Sequence, residues 1–143
     1  MATVPLLRDA EAAPEARAVF DDIRATRGTD YVNNFWRALA ADPAQLAEVW
    51  AAVRATMAPG ALDPLTKELI YVAVSTANGC AYCVHSHTAA ARAKGMTDAQ
   101  HAELLRVIAL ASRTNAIATA LQTPIDPIFD AASTAAPAQE PRP

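Results

Sequence analysis

Residues 63–97, DPLTKELIYVAVSTANGCAYCVHSHTAAARAKGMT, hold both cysteines of the chain between clear helix punctuation. Asp63 can cap a helix and Pro64 can fill its first position, where a missing N–H costs nothing. The stretch that follows is rich in Leu, Ile, Tyr and Val, and it runs through Glu68 to about Thr76 before Asn78-Gly79 stops it. A second helix begins at or just before Cys80 and ends at Gly95. The turn between them is only a few residues long, so the two are expected to form an antiparallel hairpin.

Working outward, the remaining text is helical as well. Ala, Leu, Arg and Glu dominate, Gly is scarce, and no segment sustains apolar/polar alternation. A first helix is expected from near Pro14, burying Val19, Phe20 and Ile23, with Gly28-Thr29-Asp30 as its end. A short second helix carries Phe35, Trp36 and Leu39, and Asp42-Pro43 opens a third, with Gln45 completing a capping-box pattern. Leu46, Val49, Trp50, Val53 and Met57 form its core-facing stripe. Thr97 and Gln100 form another capping box for a helix whose Leu104, Val107, Ile108 and Ala111 should face inward, and short helices are expected to follow to about Phe129. The expected fold is all-α: a single helical domain of about six to eight helices over residues 1–130, with its motif region at 34–113. The stretch 131–143 is small, polar and proline-rich, which predicts a mobile tail.

Composition narrows the function classes. A chain of 143 residues with 52% hydrophobic content can build a core without staples. Its cysteines are three apart, so a disulfide between them would restrain little of the unfolded chain. The N-terminus lacks a basic segment followed by an apolar run, and nowhere do about 18 apolar residues run uninterrupted. A cytoplasmic protein is expected, where thiol pairs serve redox or metal chemistry more than structure. A formal charge of −3 provides no basic footprint for nucleic acid or acidic lipid.

Geometry then groups four residues. Cys80 and Cys83 stand one turn apart, and His87 continues the same helical face. At roughly 1.5 Å per residue, His87 lies about 10 Å along its helix from Cys80, while Glu68 lies about 15 Å back from Asn78 on the other helix. If the two faces meet, Glu68, His87 and Cys83 line up as carboxylate, imidazole and thiol, the pattern of an activated nucleophile. Cys80 falls in the first turn of its helix, where free N–H groups and the helix dipole favour a thiolate. The order of attack stays open: helix position favours Cys80, and reach to His87 favours Cys83. Either way the product is a Cys80–Cys83 disulfide that an external dithiol must reduce.

From about Asn34 to Thr97 the chain resembles the carboxymuconolactone decarboxylase superfamily, in its alkylhydroperoxidase D-like (AhpD-like) branch. The signature is Glu, eleven residues, Cys-x-x-Cys, three residues, His, and Glu68, Cys80, Cys83 and His87 fit it position by position. The resemblance implies an all-helical fold and a thiol-dependent peroxidase or disulfide reductase, with Glu68 and His87 relaying protons to the cysteines. It also implies a homo-oligomer, often a trimer or hexamer. Where the prototype alkylhydroperoxidase has a histidine before the second cysteine, this chain has Tyr82, so redox chemistry is implied ahead of peroxide specificity. The decarboxylase branch proper lacks the cysteine pair, which argues against lactone decarboxylation.

Plainer roles compete at each position. The cysteines could be small buried hydrophobes, or two ligands of a zinc site completed by His87 with His85 or Glu68. A non-enzymatic helical module, zinc-stabilised or redox-sensing, is therefore the alternative. Structural zinc usually draws two ligand pairs from separate segments, and only one is present; no metal or other cofactor is expected. Glu68 could be solvated, but Leu69, Ile70, Val72 and Val74 are expected to leave little of its helix exposed. Tyr71 and Tyr82 could line a substrate pocket by the thiols or simply pack. His85 and His101 are expected at the surface, and Trp36 and Trp50 in the core or at a subunit interface.

Overall fold

A computed structural model of the chain describes residues 2–129. Among them are six α-helices: α1 Pro14–Arg27, α2 Asn34–Leu39, α3 Pro43–Met57, α4 Pro64–Ala77, α5 Ala81–Ala93 and α6 Asp98–Ala120. A 3-10 turn follows at Pro127–Phe129, and no strand occurs among the described residues. The all-α expectation holds. The expected tail at 131–143 lies outside the described residues. The chain forms two compact units, Met1–Lys67 and Glu68–Pro143, whose boundary falls within α4.

The first unit is organised by its aromatic residues. α1 starts with Pro14 in its first turn and ends on Gly28, whose φ of 63° lets its N–H turn back to the Arg24 carbonyl. Phe20 and Ile23 from α1, Val32, Trp36 and Ala40 around α2, and Leu46 and Trp50 from α3 form one buried cluster. Side chains of this size each gain about 1.5–3 kcal/mol from full burial. Trp36 and Trp50 meet edge to face at 5.3 Å, with the Arg27 guanidinium over both rings. The Trp50 indole N–H donates to Asp22 at 2.6 Å, satisfying the polar edge of a buried ring. Both tryptophans are core residues, one of the two roles expected of them. Asp42 caps α3 by accepting the Gln45 N–H at 3.1 Å, and Val49 and Val53 pack against the cluster beside it.

In the second unit two glycine turns set the helix ends. Gly79, at φ 68°, closes α4, and the next N–H, that of Cys80, reaches back to the Ser75 carbonyl at 2.9 Å. Gly95, at φ 91°, does the same for α5, with Met96 N–H bonding the Ala91 carbonyl. These six-to-one bonds are Schellman closures, and a side chain at either glycine would be strained there. α6 starts with the full Thr97/Gln100 capping box, as expected.

Two burial expectations need correction. α6 buries none of its residues, and of the four expected inward only Leu104 and Ile108 are partly covered, whereas Val107 and Ala111 are exposed. The helix carries apolar residues on more than one face, so periodicity alone could not choose between them. Likewise Ile70 and Val74 of α4 are exposed although Glu68 is buried, because they sit on a different face of the helix. No described helix is long and apolar enough to cross a membrane.

Candidate active site

Glu68 is the buried carboxylate of the second unit, only 4% exposed. Its neighbours along one face of α4 are Tyr71, Val72 and Ser75, at the i, i+3, i+4, i+7 spacing that places side chains in a row. The contacts with α5 pair Glu68 with His87, Tyr71 with His87 and Ser75 with Cys83.

The strongest of these contacts is His87 Nδ1 to Glu68 Oε2 at 2.6 Å. Burial pushes the Glu68 carboxyl up, but hydrogen bonds from His87 and Lys94 outweigh it and hold the group below its ordinary value. An ionised carboxylate only accepts, so Nδ1 carries a proton and is the donor of this contact. Tyr71 lies flat on the imidazole, ring centroids 3.6 Å apart and planes 17° from parallel. Tyr71, expected to line a pocket by the thiols or simply to pack, thus stacks on an imidazole. Tyr82 is in the first turn of α5 and exposed.

The cysteines occupy the start of α5. Cys80 is the N-cap rather than a residue of the first turn, and its Sγ accepts the Cys83 N–H at 3.4 Å. The two side chains also share a hydrogen bond, and both sulfurs are free. Hydrogen bonds from the Cys83 side chain and backbone lower the Cys80 thiol below its ordinary value. Burial and then the Cys80 contact push the Cys83 thiol up to about 11, against the opposing hydrogen bond from Ser75. Negative charge is therefore favoured on Cys80. The structure brings Glu68 and His87 together, and separately Cys80, Cys83 and Ser75; the hydrogen-bonding partners of the Cys83 thiol are Cys80 and Ser75. Among the described residues, no three His, Cys, Asp or Glu side chains gather as a metal would require.

Two site residues escaped the sequence reading. Ser75 was visible in principle as i+7 from Glu68, but serine carries no chemical signature until its neighbour is known. Lys94 lies i+7 from His87 and places Nζ 2.8 Å from Glu68 Oε1. It passes by composition for a solvated residue at a helix end. His85 is exposed as expected, whereas His101 is partly covered.

Residues 44–124, more than half of the chain, match the carboxymuconolactone decarboxylase family. The chain belongs to this family. The crystal structure of an alkylhydroperoxidase AhpD core from Rhodospirillum rubrum is 66% identical and superposes with a TM-score of 0.88, over 90% of this chain and 97% of that one. An alkyl hydroperoxide reductase AhpD from Solibacter usitatus is 39% identical over 46% of this chain and 36% of its own length. An uncharacterized protein encoded in the cox locus of Paracoccus denitrificans is 41% identical over 39% of this chain and 50% of its own. The chain thus spans half or less of the curated relatives' length. Together these similarities identify an AhpD-like member of the family.

Proposed function

We propose that this protein is a thiol-dependent oxidoreductase that reduces a hydroperoxide or a disulfide through a Cys80–Cys83 disulfide, with Glu68 and His87 as its proton relay. The observation that carries the proposal is the pairing of a thiolate-favouring N-cap cysteine with a resolving cysteine at hydrogen-bond distance. The Cys80 thiolate attacks one peroxide oxygen, the O–O bond breaks, and the departing alkoxide takes a proton to become an alcohol. Cys80 is left as a sulfenic acid. The Cys83 sulfur, giving its proton to a base, then attacks it; the S–O bond breaks and the departing hydroxide takes that proton back from the base to leave as water. His87, oriented by Glu68, serves as that base. With a disulfide substrate the same thiolate gives a mixed disulfide, which Cys83 resolves with release of the second thiol. An external dithiol restores both thiols by two exchange steps, which suits a reducing cytoplasm. The AhpD names of two similar proteins support the peroxide branch.

Stopped-flow consumption of a hydroperoxide and of a model disulfide tests this with wild type, Cys80→Ser and Cys83→Ser. Wild type should turn over, C80S should be inert, and C83S should consume one equivalent of peroxide and stop at the sulfenic acid. Wild-type rates no faster than a free thiol on both substrates would overturn the proposal. A zinc-stabilised or redox-sensing module remains the alternative function, and one tightly bound zinc per purified chain would favour it.

The protein is further proposed to act as a homo-oligomer, a trimer or hexamer. α6 supports this: Val107, Leu110, Thr114, Ile117 and Leu121 follow an i, i+3, i+7 repeat, and the four apolar members are 48–71% exposed. The paired change Leu110→Glu with Ile117→Glu should give smaller species in sedimentation velocity. An unchanged sedimentation coefficient would remove α6 as the interface.

A further inference from the structure

Glu68 uses its two oxygens on two different cations or donors. Oε2 faces His87 Nδ1 at 2.6 Å, and Oε1 faces Lys94 Nζ at 2.8 Å. A carboxylate held at one oxygen can still rotate about its terminal torsion, which is broad and roughly two-fold. Held at both, it has one orientation. Lys94 itself is placed by the backbone: it is the C-cap of α5, its N–H returns to the last turn of the helix, and Gly95 follows at φ 91°. Its side chain is 37% exposed, so the ion pair is screened and contributes little to stability. What it does contribute is direction.

We propose that Lys94 is a positioning residue of the relay, holding the Glu68 carboxylate so that its other oxygen fixes the proton of His87 on Nδ1 and leaves Nε2 bare for the thiol pair. The role of the relay rests on the function proposed above; the orientation of His87 does not. The groups bearing on Glu68 and His87 are Tyr71 of α4, stacked on the imidazole, and Lys94 at the end of α5. Of these, Lys94 alone touches Glu68 with a fixed positive charge. Without it, burial acts on the carboxylate against the His87 contact alone, and the acidic edge of activity moves to higher pH.

Three forms of the full-length protein test this: wild type, Lys94→Met and Lys94→Arg. In 15N spectra of the imidazoles, with His85→Gln and His101→Gln in the background to isolate His87, wild type at pH 7 should show Nδ1 protonated and Nε2 bare. K94M should show an averaged tautomer, and K94R should restore the wild-type pattern. Turnover should fall about tenfold in K94M, the factor expected on losing one charged hydrogen bond from a half-exposed site, and recover to within about threefold in K94R. Its acidic edge should also move up in pH while the thermal midpoint stays within a few degrees. A K94M protein with an unchanged tautomer overturns the inference, as does a K94R protein that loses tautomer and rate like K94M. If wild type shows no turnover, the proposed function falls, and the tautomer measurement still decides on Lys94.

Discussion

The units Met1–Lys67 and Glu68–Pro143 use burial for different ends. In the first, every member of the buried cluster is apolar, and polar edges such as the Trp50 indole are paired at its margin with Asp22. In the second, the buried residues among those described are Val72, Ala91 and Met96 together with Glu68 and Ser75, while Ile70, Val74, Val107, Leu110 and Ile117 stay exposed. One unit spends its interior on cohesion. The other spends it on a carboxylate and a hydroxyl, which are costly to bury and are retained where they have partners.

The contrast is sharpest when one residue is removed from each interior. Phe20→Ala should cost about 3–5 kcal/mol in chemical denaturation, because a fully buried ring leaves a cavity. A loss below about 1 kcal/mol would show that the cluster is not what holds the first unit. Glu68→Gln should have the opposite profile, lowering turnover about a hundredfold, as for loss of acid–base assistance, with only a small change in thermal midpoint. Equal damage to fold and rate would erase the distinction between the units.

Acid should separate them too. Glu68 lies below its ordinary value of 4.5 when folded, so its stabilising contribution is complete above that pH and is lost as pH falls through the lower, folded value. Wild type should therefore lose stability over that interval relative to Glu68→Gln, as followed by urea midpoints. Parallel curves would show that Glu68 is not linked to folding.

Smaller effects refine the picture. Ser75→Ala removes the one hydrogen bond that favours a Cys83 thiolate, so resolution of the Cys80 intermediate should slow about threefold while its formation is unchanged. Equal slowing of both steps would assign Ser75 to packing. In the first unit, Asp42→Ala should cost about 1 kcal/mol through the lost cap on α3, with turnover unaffected.

How far the sequence spoke follows the same division. Helix ends were legible because caps and breakers act locally: Pro14, Gly28, Asp42, Asn78-Gly79, Gly95 and Thr97 each mark a boundary the structure shows. The Glu68–His87 contact was legible too, because a short turn and a fixed rise per residue bring equal depths together. Lys94 and Ser75 were hidden, since a lysine at a helix end and a serine in an apolar run have many uses. Which face of α6 is covered was also hidden: that depends on what packs against the helix, and its apolar residues satisfy more than one answer.

Cys80 ends one helix with its N–H and begins the next with its sulfur. The second of these roles has an electrochemical meaning. A sulfur that accepts a backbone N–H at a helix start is stabilised as an anion, and the helix dipole adds to that stabilisation. Only the dithiol state of the pair can carry the charge, so in the proposed cycle the helix favours reduced over oxidised protein and makes a Cys80–Cys83 disulfide the stronger electron acceptor. In the proposed cycle the strength of the oxidant is written into where α5 begins.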